Sequence, residues 1–202
     1  MAATIPTTIT PRFIVITGGP GSGKTALLEM ARHRFSEKLG ILPESAGIIF
    51  GGGFPRRSEP LAVLAAQRAI FRVQRELEQI ELDLRESPVV LCDRGTLDGL
   101  AYWPEPEALF FSQLETTLES ELARYAVVIH LRTPSATNGY NHSNPLRVET
   151  AERAAAIDER IGEIWRKHPR YFMVESAPDF LAKVARAFEL IQGELHQREV
   201  QS

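Results

Sequence analysis

Residues Gly18, Gly19, Gly21, Ser22, Gly23, Lys24 and Thr25 fall in the stretch GGPGSGKT and satisfy the spacing G-x-x-x-x-G-K-[ST]. The chemistry this spacing serves is the grip of a nucleotide triphosphate. Glycines let the backbone curl until successive N–H groups face phosphate oxygens, and a helix starting at once behind them adds partial positive charge. Lys24 is placed to reach the β and γ phosphates, and the Thr25 hydroxyl to ligate a Mg2+ ion that keeps several waters. ATP is the expected nucleotide, GTP the alternative, and Gly19, Gly21, Ser22, Gly23, Lys24 and Thr25 are the expected binding residues. A glycine-rich turn with an exposed lysine is the plainer reading, but four glycines, the lysine and the threonine in register argue against it.

Such a loop needs a second carboxylate for the metal, and PVVLCD, residues 88–93, ends an apolar run in Asp93. Asp93 is the expected Mg2+ partner of Thr25, and the adjacent Arg94 offers a fork for acceptor or donor oxygens. The alternative for Asp93 is a solvated helix cap. Glu44, in LPESAG, is a candidate to orient or deprotonate an acceptor hydroxyl, against the plainer role of a solvated loop glutamate. Arg132, Arg147 and Arg153 flank or lie in the polar, turn-rich segment TPSATNGYNHSNPLR. A lid over about residues 133–148 is expected, with Arg147 assigned to the transferring phosphoryl group. Gln67, Phe71 and Gln74 share one line of a long helix and can present two amides and a ring to an acceptor; ordinary packing explains the phenylalanine equally well.

These residues need a frame of short strands and long helices. Apolar runs rich in β-branched residues at 13–17, 41–42, 88–93, 126–131 and 171–174 alternate with segments of helical period, the pattern of a parallel sheet with helices on both faces. Val63, Ala66, Ile70, Val73, Leu77, Ile80 and Leu84 recur at steps of three and four, which predicts a helix over about 61–85. A coiled coil is the alternative; packing of this stripe on the chain's own sheet is the expectation. Further helices are expected over 150–167 and through Phe180, Val184, Phe188, Ile191 and Leu195, the latter opened by a capping box at 176–179. FGGGFPRRSEP, residues 50–60, reads as an irregular, glycine-hinged connection. One domain over 12–198, behind a disordered tail at 1–11, accounts for the whole pattern.

Composition removes other classes. The 202 residues carry a formal charge of −3, so no net positive field is available to hold nucleic acid. One cysteine, Cys92, and five histidines without metal-ligand spacing predict neither an intrachain disulfide nor a structural zinc. No run approaches a membrane span and no signal peptide opens the chain, so a cytoplasmic protein is expected. N-K-x-D, D-x-x-G switch and L-S-G-G-Q signatures are missing from the sequence. A small-molecule kinase, monomeric or weakly dimeric, is therefore the primary expectation. A nucleotide-dependent switch with slow hydrolysis and a protein partner is the alternative, and a phosphate-binding scaffold without turnover the third reading.

The segments GGPGSGKT, PESAG, CDRGTLDGLAYWP, LRTP and NPLRVETAERAAAIDERI, with the closing helix, resemble the P-loop NTPase family of NadR-like AAA domains. That family groups the ribosylnicotinamide kinase domain of the bacterial NAD-synthesis regulator with a fly GTP-binding protein of TRP-channel trafficking. The resemblance covers roughly residues 12–194, with a more distant similarity to deoxynucleoside kinases. It implies a three-layer α/β P-loop fold with a five-stranded parallel sheet of order 2-3-1-4-5. It also implies a base at Glu44 and metal and phosphate roles for Asp93 and Arg94. Nicotinamide riboside is not implied as the acceptor, since members of the family differ in function.

Overall fold

The computed structural model describes residues 10–35, 38–134, 151–176 and 180–201. Five strands, β1 (Arg12–Thr17), β2 (Leu39–Leu42), β3 (Val89–Asp93), β4 (Tyr125–Leu131) and β5 (Tyr171–Val174), form one sheet of order β2-β3-β1-β4-β5. Every pairing is parallel, as the implied fold requires. The register sets Ile16 beside Asp93 and Thr17 beside His130, so the carboxyl ends of the three central strands finish together. In open parallel sheets that edge is where ligands bind.

Alternation along β1 shows why both faces are covered. Phe13 and Val15 point into one buried cluster, and Ile14 and Ile16 into the other. The second cluster is closed by α1 (Lys24–Phe35), through Leu27, Leu28 and Ala31, and by α7 (Phe180–Gln201), through Val184, Ala187, Ile191 and Leu195. The first is closed by α3 (Pro60–Leu84) and α6 (Ala151–Trp165), with Phe71, Ile157, Ile161 and Trp165, and by a 3-10 helix, Thr96–Tyr102. Periodicity had given no element between β3 and β4, where the 3-10 helix is joined by α4 (Glu107–Leu114) and α5 (Leu118–Leu122). These pieces are too short for a 3.6-residue period to declare itself. The connection after β2 is also more regular than its glycines suggest, since α2 (Ser45–Gly51) runs into it. Of the predicted capping box at 176–179, residues 177–179 lie outside the described residues. The expected helix over 150–167 is seen as Ala151–Trp165.

One expectation is corrected. The apolar stripe of α3 does not form the face turned to the sheet. Fully buried are Leu64, Gln67, Phe71, Gln74 and Glu78 together with Ala66 of the stripe, while Ile80 and Leu84 of the stripe are 50% and 59% exposed. Polar groups can line a buried face when every one finds a partner. Ser45 donates to the Gln74 carbonyl at 2.8 Å, and the Gln74 amide donates to Glu78 at 2.9 Å. Glu78 also accepts from the Tyr125 hydroxyl at 2.8 Å and pairs with Arg124 through Nε at 3.0 Å and through Nη2. The chain continues through Tyr125 to Thr96, which donates to the buried Glu121.

Arg124→Ala is expected to strand the Glu78 carboxylate inside this face and to cost about 3–5 kcal/mol of stability. Glu78→Gln, which keeps an acceptor for Tyr125 and Arg124, is expected to cost less than half of that. Urea denaturation of the two variants checks the order.

Candidate functional site

The phosphate loop joins β1 to α1 across Gly18–Gly23, and two of its glycines are imposed by geometry. Gly18 has φ +138° and Gly23 φ +97°, values that L side chains rarely adopt. A Cβ at Gly18 would sit 2.2 Å from the Leu131 carbonyl oxygen, and one at Gly23 2.6 Å from the Phe180 ring. Lys24 is folded across this loop. Its ammonium donates to the Gly18 and Gly19 carbonyls at 2.9 and 3.1 Å and to Ser22 Oγ at 3.2 Å. Burial, and after it the charge of Arg94, lower its pKa to about 8 against the pull of Asp93, Glu44 and Asp98. A bound triphosphate would offer this ammonium better partners than the loop's own carbonyls.

Arg94 gathers the other groups. Its backbone has φ +77°, an unfavourable conformation for a side chain of this size, of the kind that clusters at functional sites. From there Nε donates to Glu44 Oε1 at 2.5 Å, and Nη1 to Asp98 Oδ1 at 3.2 Å and the Gly18 carbonyl at 3.3 Å. Nη2 takes no part in these bonds. Glu44 stands at the N-terminus of α2 without capping it, 38% exposed at its side chain. Burial favours its neutral form, yet Arg94, then Lys24 and Arg56, hold its pKa below the usual carboxylate range. Glu44 is therefore ionised at neutral pH.

Asp93 behaves in the opposite way. Its Oδ1 is buried and makes no hydrogen bond, and burial pushes its pKa up to about 6 despite Lys24 and Arg94. An orphaned oxygen at the strand end fits a hard cation. Thr25 opens α1 with an exposed side chain, and among the described residues no group of three or more His, Cys, Asp or Glu side chains suits a metal. A Mg2+ ion held by Asp93 and Thr25 would thus complete its shell from water and phosphate, as this ion commonly does.

Sequence reasoning missed three groups that hold the loop. Asp98, 3% exposed, accepts from Thr17 Oγ1 at 2.5 Å, Gly95 N at 3.0 Å and Trp165 Nε1 at 3.0 Å besides Arg94. Asp158 on α6 accepts from Gly19 N at 2.7 Å, Thr133 Oγ1 at 3.0 Å and His130 Nε2 at 3.0 Å. Burial opposes its ionisation, but the His130 and Gly19 hydrogen bonds keep its pKa at about 2. Lys183 on α7 donates to the Ser22 carbonyl at 2.8 Å and to that of Arg132. The available signal for Lys183 was a lysine placed inside the buried stripe of the last helix.

Of the predicted residues, Lys24, Glu44, Asp93 and Arg94 are brought together. Arg132 pairs with Glu159 at 2.9 Å, Arg153 lies exposed on α6, and Arg147 with the expected lid falls outside the described residues. Gln74 is taken up by Ser45 and Glu78, and Phe71 packs edge-on against Phe110 in the core. Gln67 is 8% exposed, and its Oε1 is 3.1 Å from where a Gly99 Cβ would stand.

A protein-family model described as an AAA domain matches residues 13–181. No curated protein matches the chain. Among solved structures, deoxyadenosine kinase from M. mycoides with bound dATP aligns with a TM-score of 0.62 and 14% identity, over 91% of this chain and 99% of that one. Thymidylate kinase from Candida albicans aligns with a TM-score of 0.63 and 16% identity, over 91% and 92%. Thymidylate kinase from Ehrlichia chaffeensis aligns with a TM-score of 0.52 and 16% identity, over 90% and 98%. At these identities the similarity is one of fold.

The two shifted aspartates predict opposite effects on the unliganded, metal-free protein. Asp93, with its pKa raised to about 6, contributes stability below its unfolded value that is lost as pH rises to 6. Asp93→Asn is expected to raise stability at pH 7 by roughly 2 kcal/mol. Asp158, lowered to about 2, contributes stability above its unfolded value that is lost as pH falls toward 2, so Asp158→Asn is expected to cost about 2 kcal/mol at pH 7. Denaturant titrations at pH 7 and pH 4 check both signs.

Proposed function

The chain belongs to the AAA domain family whose model spans its residues 13–181, and from that premise we propose that it transfers the γ-phosphoryl group of ATP to a hydroxyl of a small, nucleoside-like acceptor. One observation carries this reading: an ionised Glu44, tied to Arg94, stands at the mouth of the phosphate loop beside Lys24 and Asp93. A nucleotide switch positions a water and has no use for a fixed carboxylate turned to an acceptor.

Each group then has a role. The loop amides and Lys24 hold the β and γ phosphates, with the ammonium exchanging its loop carbonyls for phosphate oxygens. Asp93 and Thr25 are the residues that would hold a Mg2+ ion, which would supply positive charge against the charge developing on the phosphates. Glu44 Oε2, free of the Arg94 bond, accepts the hydrogen of the acceptor hydroxyl, aligns its oxygen for attack and takes the proton as the bond to the γ-phosphorus forms and that from the γ-phosphorus to the bridging oxygen breaks, releasing ADP. Oε1 stays on Arg94, whose Nη2 donates to the phosphoryl oxygens. In a loose transition state, positioning and charge stabilisation matter more than base strength, so a low carboxylate pKa is no obstacle.

The acceptor class is supported by Gln67, whose amide makes no hydrogen bond among the described residues and lies by the 3-10 helix, and by the nucleoside and nucleotide kinases that share the fold. Arg147 is proposed as a lid arginine. The described helices include none long and apolar enough to cross a membrane, and a lone buried Cys92 suits a reducing cytoplasm.

A thermal-shift screen of nucleosides and sugars with a non-hydrolysable ATP analogue identifies the acceptor, and nucleotide turnover is then measured with it. Glu44→Gln is expected to keep nucleotide affinity within about twofold and to lower transfer by roughly 100-fold or more. Lys24→Ala is expected to lose nucleotide affinity with the fold intact. Turnover that no acceptor raises, and that Glu44→Gln leaves unchanged, would transfer the reading to the switch.

A further inference from the structure

A cavity of about 480 Å3 lies between α3 and the turn that joins α4 to α5, and none of the residues lining it belongs to the phosphate loop or to the group of Glu44, Asp93 and Arg94. Its size falls within the roughly 300–1,000 Å3 of small-molecule sites. The guanidinium groups of Arg72, Arg75 and Arg124 share it with the hydroxyl-bearing turn at 116–120. Phe71, itself buried, gives it an aromatic wall, with Arg72 and Arg75 each 6.0 Å from the ring centroid.

Two of these arginines are fixed from behind. Arg75 Nη1 donates to the buried Glu121 at 2.7 Å, and Arg124 uses Nε and Nη2 on the buried Glu78. Arg75 Nε and Nη2 and Arg124 Nη1 take no part in these bonds. Arg72 pairs with Glu115 at 3.6 Å, between side chains 56% and 83% exposed, a contact of little strength. The buried carboxylates balance Arg75 and Arg124, so Arg72 leaves a small positive surplus once parted from Glu115. That surplus suits a group of low charge and not a triphosphate. Planar forks held in place match oxyanion geometry, and a phosphate offers one oxygen to each of three forks, where a carboxylate has two.

We propose that this cavity is a second ligand site, that it takes a sugar-sized metabolite carrying a phosphate monoester, and that its occupancy is linked to the nucleotide site. The link follows two hydrogen-bonded chains. From Arg124 one runs through Glu78 and Gln74 to Ser45, the residue after Glu44. From Arg75 the other runs through Glu121 to Thr96, two residues after Arg94. Both partners of the Glu44–Arg94 tie thus have a near neighbour bound, directly or through Gln74, to a carboxylate that a cavity arginine holds. A phosphate that draws these guanidiniums toward itself loosens Glu78 and Glu121, and nucleotide affinity falls with them; by linkage, nucleotide weakens the phosphate by the same factor. The link rests on the nucleotide site proposed above, whereas binding in the cavity does not.

Calorimetric titration of the full chain with glucose 6-phosphate, inorganic phosphate and citrate tests both parts. Glucose 6-phosphate is expected to bind with a Kd below about 1 mM, inorganic phosphate to compete with it, and citrate to bind more weakly. Arg72→Glu, at an exposed position, is expected to weaken glucose 6-phosphate roughly tenfold or more. Arg75→Lys, which keeps a cation for Glu121 but loses the fork, is expected to weaken it at least threefold, with the circular dichroism spectrum of both variants unchanged. Lys24→Ala is expected to leave it within twofold. A non-hydrolysable ATP analogue is expected to bind about fivefold more weakly when glucose 6-phosphate is saturating, and Arg72→Glu to abolish that effect. No binding of either phosphate up to about 10 mM, binding lost in Lys24→Ala and kept in Arg72→Glu, citrate bound more tightly than both phosphates, or an analogue affinity that glucose 6-phosphate does not move would each overturn the proposal.

Discussion

The guanidinium of Arg94 is the tie on which the site depends. It joins the end of β3 to Glu44 after β2, to the Gly18 carbonyl at the start of the phosphate loop and to Asp98 in the 3-10 helix. A point-like ammonium could not bond in these directions at once; a planar fork can. The left-handed backbone at Arg94 costs on the order of 1 kcal/mol, and the four donors converging on Asp98 help to hold it there. Two carboxylates a few residues apart on the chain consequently have different characters. Asp98 is saturated with donors, whereas Asp93 keeps a bare oxygen at the strand end.

Behind this tie the loop is held from both sides of the sheet. Asp158 reaches Gly19 from α6 on one face, and Lys183 reaches Ser22 from α7 on the other. An amide bound to a carboxylate and a carbonyl bound to an ammonium fix two successive turns of the loop in opposite polarity.

What the sequence made legible follows from the range of the forces involved. The phosphate loop, the five strands and the place of Asp93 and Arg94 at a strand end are written in contiguous residues, because a turn, a strand end or a helix start is a local event. The burial of α3 was misread because hydrophobicity ranked Val73 and Ile80 above Gln74 and Glu78. The ranking fails when Ser45, Arg124 and Tyr125, distant in sequence, satisfy those polar groups. Asp158 was not read for a related reason, since Gly19, His130 and Thr133 reach it from distant parts of the chain, and the partners of Lys183 are main-chain carbonyls that carry no side-chain signature.

The position of β1 at the centre of the sheet has a consequence for how the chain is made. It is synthesised before the other four strands of the sheet, yet Arg12 pairs with Val89 on one side, and Ile14 with Val127 on the other. At about 5–20 residues per second, the FIVIT segment leaves the ribosome roughly 4–15 seconds before β3 exists to pair with it. Two bare edges and two apolar faces are exposed through that interval. Until the middle of the chain arrives, the strand that will carry the phosphate loop is the part of the nascent protein most in need of shelter.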